Sequence, residues 1–461
     1  MKDVRGTLSC FKAYDIRGLV PDELDVELAR LIGRAFAAIL GGGTVAVGRD
    51  MRLTGGEIAG ALMQGLTESG VHVCDLGLVG TEEVYFATSH LGLEGGVMVT
   101  ASHNPAAYNG MKLVKKDAVP VSRDTGLRDI EAMVLEAKRG QRTKGLGETP
   151  SGRVEKRNVR DAYVEHLLTY VDPQKLPALK IVANAGNGMA GPVVEAMIPH
   201  LPFELIPIAF QPDGSFPNGV PNPLLSENRA ATSAAVIESR ADLGVAWDGD
   251  FDRCFFFDAD GEFVEGYYLV GLLAQEALRN EPGSKIIHDP RLVWNTVEMV
   301  EEAGGVPILN KSGHAFMKER MRREDAAFGG EVSAHYYFRR FSYCDSGMIP
   351  WLLVASLIGG TNKSLGDLVR DRRSAFPTSG EINLEIADTD TVLKALKAEF
   401  GGRALSVDET DGISLEFKDW RTNVRPSNTE PLLRVNVEAR GDRRLMEEKT
   451  QELLAFMKGS A

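Results

Sequence analysis

One pattern recurs three times along the chain and constrains its fold more than any single residue does. A short apolar run ends abruptly in a polar loop, and helix and strand signals alternate between such runs. The first round goes from Thr44-Val45-Ala46-Val47, through a helical segment over 57–69 and Val71-His72-Val73-Cys74, to Gly96-Val97-Met98-Val99. The second goes from Lys180-Ile181-Val182-Ala183, through a helical stretch over 192–198 and a strand near 204–208, to Leu243-Gly244-Val245-Ala246-Trp247. The third goes from Lys285-Ile286-Ile287-His288, through helical 295–303 and Val306-Pro307-Ile308-Leu309, to Phe328-Gly329-Gly330. Strand, helix, strand, crossover and strand is the grammar of an open α/β sheet. The rounds span 44–100, 180–248 and 285–331, and this inequality favours three related α/β domains over a fixed-period solenoid.

Beyond about Arg370 the pattern changes. Strands over 380–386, 412–417 and 432–437 and helices over 392–400 and 444–457 form a smaller α+β domain. The expected domains are residues 1–148, 149–258, 259–368 and 369–461, with the Gly/Thr/Pro-rich stretch 140–152 as a linker. A chain of 461 residues at roughly 150 residues per domain suits three or four domains.

The formal charge of −13, from 52 basic and 65 acidic residues, argues against nucleic acid or an anionic membrane as the main partner. Cys10, Cys74, Cys254 and Cys344 form no C-x-x-C pair and fit a reducing compartment. The longest uncharged stretch, 346–362, contains Pro350 and falls short of the ~20 apolar residues of a membrane span. The chain reads as soluble and cytoplasmic.

Four loops carry the chemistry. Thr100-Ala101-Ser102-His103-Asn104-Pro105 ends a strand and is either turn chemistry or an activated hydroxyl beside a proton carrier. No G-x-S-x-G elbow surrounds Ser102, so a hydrolase triad is not indicated. Asp248, Asp250 and Asp252 alternate directly after an apolar strand; three oxygen ligands without His or Cys point to Mg²⁺. Their mutual repulsion is expected to need a cation. An EF-hand is excluded because Arg253 and Ala259 occupy its glycine and glutamate positions. Glu331, Ser333 and His335 alternate, and in an extended loop they face one side, as groups suited to sugar hydroxyls. Arg425, Ser427, Asn428 and Thr429 make a phosphate-binding inventory or an ordinary polar turn. Lys112 is either a phosphate or proton partner or a plain edge-strand lysine.

Five motifs together resemble the α-D-phosphohexomutase superfamily, and within it the bacterial phosphomannomutase/phosphoglucomutase group: FKAYDIRG (11–18), TASHNP (100–105), DGDFDR (248–253), GEVSAHYYF (330–338) and RPSNTEP (425–431). The resemblance covers essentially the whole chain and implies four domains around a central cleft. It implies that Ser102 is a phosphoserine, that its oxygen joins Asp248, Asp250 and Asp252 on Mg²⁺, and that His103, Lys112 and Arg253 surround the transferring phosphoryl group. It further implies substrate contacts from Tyr14, Arg17, Arg291, His314, Glu331, Ser333 and His335, with His335 serving in substrate binding or proton transfer, and a phosphate clamp at Arg425, Ser427, Asn428 and Thr429. The implied reaction interconverts hexose 1- and 6-phosphates through a hexose 1,6-bisphosphate, which also primes the enzyme. The expected partner is a small phosphosugar, with the chain a monomer or weak homodimer. Ala334 and Arg291 depart from some relatives and bear on sugar specificity. A phosphoglucosamine mutase, a Mg²⁺-dependent phosphatase and a non-catalytic sugar-phosphate binder are the rival readings. Asp250→Asn is expected to lose activity with the fold intact, on the premise that the metal loop is accessible.

Overall fold

The computed structural model describes residues 7–140, 151–386, 388–426 and 432–460. The boundary expected at 148 and most of the expected linker lie outside the described residues. The chain divides into two compact units, Met1–Phe263 with Tyr337–Gly360 and Val264–Tyr336 with Thr361–Ala461.

The first unit contains two sheets. One runs in the order Ile16–Leu19, Tyr108–Lys115, Gly95–Val99, Thr44–Arg49, His72–Leu78, Val154–Lys156, with Val119–Pro120 beside Tyr108–Lys115. Thr44–Arg49 pairs parallel with both His72–Leu78 and Gly95–Val99, whereas Tyr108–Lys115 returns antiparallel. Gly95–Val99 is buried at every residue, as a strand covered on both faces must be. The other sheet runs Phe263–Val264, Cys254–Phe257, Leu243–Trp247, Lys180–Asn184, Glu204–Ile208. Its last three strands are parallel and Cys254–Phe257 turns back. Gly95–Val99 and Leu243–Trp247 therefore deliver the loops beginning at Thr100 and Asp248 from strand carboxyl ends, where open α/β sheets bind ligands.

Helix Val26–Leu40 starts three residues later than the amphipathic pattern at Glu23 implies. Asp25 caps it by accepting the Leu28 N–H at 2.7 Å, and Gly41 ends it at φ 76°. It packs on helix Gly55–Glu68 almost backbone to backbone. A Cβ on Gly65 falls 2.0 Å from the Arg30 carbonyl oxygen, and one on Gly33 falls 2.3 Å from that of Leu62. Gly65→Val is expected to force the two helices apart and lower stability by about 1–3 kcal/mol, read as a drop in melting temperature. An unchanged melting temperature counts against this packing.

The second unit holds the parallel strands Val306–Leu309, Lys285–His288 and Phe328–Gly330, and a separate antiparallel sheet. That sheet runs Ile382–Glu385, Leu432–Ala439, Trp420–Pro426, Ile413–Glu416, Ser406–Asp408, with helices Thr389–Phe400 and Arg443–Gly459. Two of its strands, Trp420–Pro426 and Ser406–Asp408, are absent from the sequence reading. In the first, Arg421, Asn423 and Arg425 alternate with Trp420, Thr422 and Val424, and all six are buried. Burial of the charged face depends on partners far along the chain: Arg421 pairs with Glu438 at 3.2 Å and donates to the Pro290 and Arg291 carbonyls. Among the described residues no helix is long and apolar enough to cross a membrane; the uncharged stretch forms the buried helix Met348–Thr361.

Candidate active site

In the first unit, Ser102 is 3 % exposed and sits in the left-handed backbone region at φ 48°. Its hydroxyl donates to Asp248 Oδ2 at 2.6 Å, and His103 Nδ1 lies 3.1 Å from Ser102 Oγ. Asp248 also receives Arg253 through Nε at 2.9 Å and Nη2 at 2.8 Å. Lys112 reaches Asp250 at 2.6 Å and also contacts Asp252, while Thr81 donates its hydroxyl to Asp250 at 2.6 Å.

Two expectations need correction. Lys112 is not an edge-strand lysine, because Tyr108–Lys115 runs between Ile16–Leu19 and Gly95–Val99 and leaves Lys112 5 % exposed. The metal loop is not accessible: Asp248 and Asp250 are fully buried and Asp252 is 1 % exposed. The Lys112 and Arg253 cations offset two of the three carboxylate charges and leave one for a bound cation.

These cations set the local electrostatics. Burial opposes ionisation of Asp250, but the Lys112 ammonium outweighs it and holds Asp250 below the ordinary carboxylate range. Burial alone would discharge Lys112, yet Asp250 and Asp252 keep it charged well past the ordinary lysine range. His103 is pushed well below the usual imidazole value, first by burial and then by the Arg253 and Arg17 cations. It is therefore neutral at pH 7. Asp248, Asp250 and Asp252 place one carboxylate oxygen each within 4.8 Å of the others, and Asp250 Oδ1 is buried without a hydrogen-bond partner. That donor set fits a hard divalent cation. Arg17 donates to the Asn104 side chain at 2.7 Å and pairs with Asp15, and half-buried Tyr14 lies on the same segment.

In the second unit, Glu331, Ser333 and His335 do not lie on an extended loop. Residues 331–335 form a tight turn, closed by Glu331 N–H to the His335 carbonyl at 2.9 Å, with Ala334 at φ 68°. A turn replaces simple alternation as the device that gathers them. Arg291, 3 % exposed, lies between the turn and its support: it donates to Ser333 Oγ at 3.2 Å and lies 3.6 Å from Glu331 and 2.5 Å from Asp289. Asp289 in turn accepts the Val332 N–H, and Glu331 accepts the Gly313 N–H at 2.8 Å. His314 opens helix His314–Glu324, and its ring stacks on His335 with centroids 6.5 Å apart.

Glu381 ties this group to the last domain, lying 3.7 Å from Arg291, 3.3 Å from Arg425 and 3.4 Å from Arg434. Ser427, Asn428 and Thr429 lie outside the described residues; Arg425 is 6 % exposed. Thr81, Asp289, Glu381 and Arg434 are missed by sequence reasoning. Asp289 carried a signal, a carboxylate directly ending a repeat strand. Thr81 and Glu381 carried none, since their partners are remote in sequence.

Four family models match in chain order: phosphoglucomutase/phosphomannomutase α/β/α domain I over residues 9–140, domain II over 161–261, domain III over 265–376 and the C-terminal domain over 381–455. A phosphohexose mutase of Xanthomonas campestris is 58 % identical over 98 % of this chain and 100 % of its own length. A phosphomannomutase of Escherichia coli K12 is 55 % identical over 98 % of this chain and 99 % of its own. The crystal structure of a phosphoglucomutase/phosphomannomutase family protein from Burkholderia thailandensis superposes with a TM-score of 0.87 at 32 % identity, covering 99 % of each chain. A buried serine aimed at three clustered aspartates, on this sequence of domains, therefore has an assigned lineage: the chain belongs to the phosphoglucomutase/phosphomannomutase family of phosphohexomutases.

Proposed function

We propose that the enzyme interconverts mannose 1-phosphate and mannose 6-phosphate, with glucose phosphates as further substrates, and that Ser102 carries the phosphoryl group. The observation behind this is the Ser102 hydroxyl, buried and 2.6 Å from Asp248 in a cluster of three aspartates. The close relatives named for mannose or hexose phosphates support the substrate class.

The Ser102 phosphate is transferred to the free hydroxyl of a hexose monophosphate, giving a hexose 1,6-bisphosphate. The sugar oxygen forms the new P–O bond, the Ser102 Oγ–P bond breaks, and the sugar proton leaves to a base. In the return step Ser102 Oγ attacks the other phosphate and gives up its proton to a neighbouring base, the bond from that phosphorus to the sugar oxygen breaks, and the freed sugar oxygen takes up a proton as its hydroxyl; Asp248 Oδ2 at 2.6 Å and His103 Nδ1 at 3.1 Å are the groups within reach of the Ser102 proton. Lys112 and Arg253 hold the aspartates and present fixed positive charge to the phosphoryl oxygens. Asp248, Asp250 and Asp252 would hold Mg²⁺, which when bound neutralises charge on the transferring group. Tyr14, Arg17, Arg291, His314, Glu331, Ser333 and His335 are the proposed substrate contacts. Arg425 binds the phosphate that is not reacting. Its bidentate guanidinium suits that anion, and its pairing with Glu381 keeps it oriented.

The test is peptide mass spectrometry of the purified enzyme together with a product assay. Phosphate on Ser102 and hexose 6-phosphate formed from mannose 1-phosphate are expected; stoichiometric release of inorganic phosphate instead makes the enzyme a phosphatase. Arg425→Ala is expected to raise KM by about 10-fold or more before it lowers kcat. A normal KM for this variant moves the phosphate contact elsewhere.

A further inference from the structure

The segment Asp50-Met51-Arg52, just past strand Thr44–Arg49, has no role in the reading above. Its geometry around the Ser102 loop is unusually complete. Arg52 is 3 % exposed, and its two terminal nitrogens meet four backbone carbonyls of that loop. Nη1 donates to Pro105 and Tyr108, each at 2.8 Å; Nη2 donates to Ser102 at 2.8 Å and Asn104 at 2.6 Å. A guanidinium has four N–H bonds on those nitrogens, so the loop takes all of them. Its Nε lies 3.4 Å from Asp50 Oδ2.

The remaining bonds fix the same residue from the other side. The Ser102 N–H donates to Thr100 Oγ1 at 2.8 Å, and the Thr100 hydroxyl donates to Asp50 Oδ2 at 2.6 Å. Asp50 Oδ1 accepts the Arg52 N–H at 3.0 Å. Ser102 thus has its N–H bound through Thr100 and its carbonyl bound by Arg52. A non-glycine residue at φ 48° persists only where its surroundings impose that backbone, and these two bonds impose it.

Arg52 also sits where the serine loop must meet the metal loop. Its backbone bridges that of Gly214 in the next domain, and its guanidinium lies 5.2 Å from the centre of the Phe216 ring. A Cβ on Gly214 would stand 2.1 Å from the Met51 carbonyl oxygen, so the two backbones are in direct contact. The residue that grips the serine loop is thereby referenced to the domain that supplies Asp248.

We propose that Arg52 is the positioning residue of the phosphoryl carrier: by binding the carbonyls of Ser102, Asn104, Pro105 and Tyr108, it fixes Ser102 Oγ in line with the aspartate cluster. The inference rests on Ser102 being that carrier. Lysine cannot substitute, because one ammonium with three N–H groups cannot span four carbonyls that a planar fork reaches from two nitrogens.

Arg52→Lys and Arg52→Ala in the full chain test it. With mannose 1-phosphate as substrate and mannose 1,6-bisphosphate as primer, both are expected to lose about 100-fold in kcat, the scale of a small misplacement of a reacting group, with KM nearly unchanged. Low millimolar methylguanidinium is expected to restore part of the kcat of Arg52→Ala. A variant that is merely destabilised shows no such rescue, because low millimolar guanidinium leaves stability essentially unchanged. If Arg52→Ala does not fold, Arg52→Lys decides. A wild-type kcat in Arg52→Lys, or a raised KM at preserved kcat, overturns the proposal. Wild-type enzyme without phosphate on Ser102 sinks the underlying reading instead, so the two failures are distinct.

Discussion

Ser102→Ala is expected to lower kcat by at least about 10⁴-fold, because it deletes the atom that accepts and donates the phosphoryl group and no neighbouring nucleophile replaces it. The substitution removes one hydroxyl that hydrogen-bonds Asp248 at 2.6 Å, while Arg253 continues to hold that carboxylate through two nitrogens. The melting temperature is therefore expected to stay within a few degrees of wild type. Substrate binding is expected to persist, since the proposed sugar and distal-phosphate contacts lie on other residues. The measurement combines a single-turnover assay, the mass of the 102-containing peptide and a binding isotherm for mannose 1-phosphate. Full activity of the variant in the presence of bisphosphate primer removes Ser102 from the mechanism.

Asp250→Asn is the second large effect, and burial changes what it should do. The variant is expected to lose about 10²–10³-fold in activity, by removing one anionic donor and loosening the electrostatic arrangement around the transferring group. It is not expected to leave stability untouched. Asp250 is fully buried and shares Lys112 with Asp252, and it also accepts the Thr81 hydroxyl. Weakening one arm of that pair is expected to cost about 1–3 kcal/mol, moderated because Asp252 still faces Lys112. Mg²⁺ is expected to raise the melting temperature of wild type more than that of Asp250→Asn, because a cation bound only to the native state stabilises it. Equal shifts in the two proteins, with activity unchanged at saturating Mg²⁺, remove Asp250 from the metal site.

The loops beginning at Thr100, Asp248 and Glu331 were legible because each directly follows a short apolar run. Val97-Met98-Val99 before Thr100, and Val245-Ala246-Trp247 before Asp248, are short-range signals that survive without any tertiary information. Positions set by partners remote in sequence were not legible. Arg425 reads as part of a polar turn and Arg421 drew no reading, yet both are buried in the strand Trp420–Pro426, where they pair with Glu381 and Glu438. Thr81 gave no sign of its bond to Asp250, 169 positions away. Glu331, Ser333 and His335 were grouped on the wrong grounds: alternation was the signal, whereas a turn with Ala334 in the left-handed region gathers them.

By itself the sequence determined the recurring α/β grammar, the order of the chemical loops and the identity of the residues on them. Local periodicity and turn chemistry are written in contiguous residues and need no partner to be read. Tertiary structure alone decided which charges are buried and what compensates them. It put Lys112 inside the sheet between two aspartates, used Glu381 to join Arg291 to Arg425, and turned Arg52 onto four carbonyls of the Ser102 loop. The physical reason is that the state of a buried ionisable group depends on charges and dipoles within a few ångströms, and the fold brings those neighbours from anywhere in the chain.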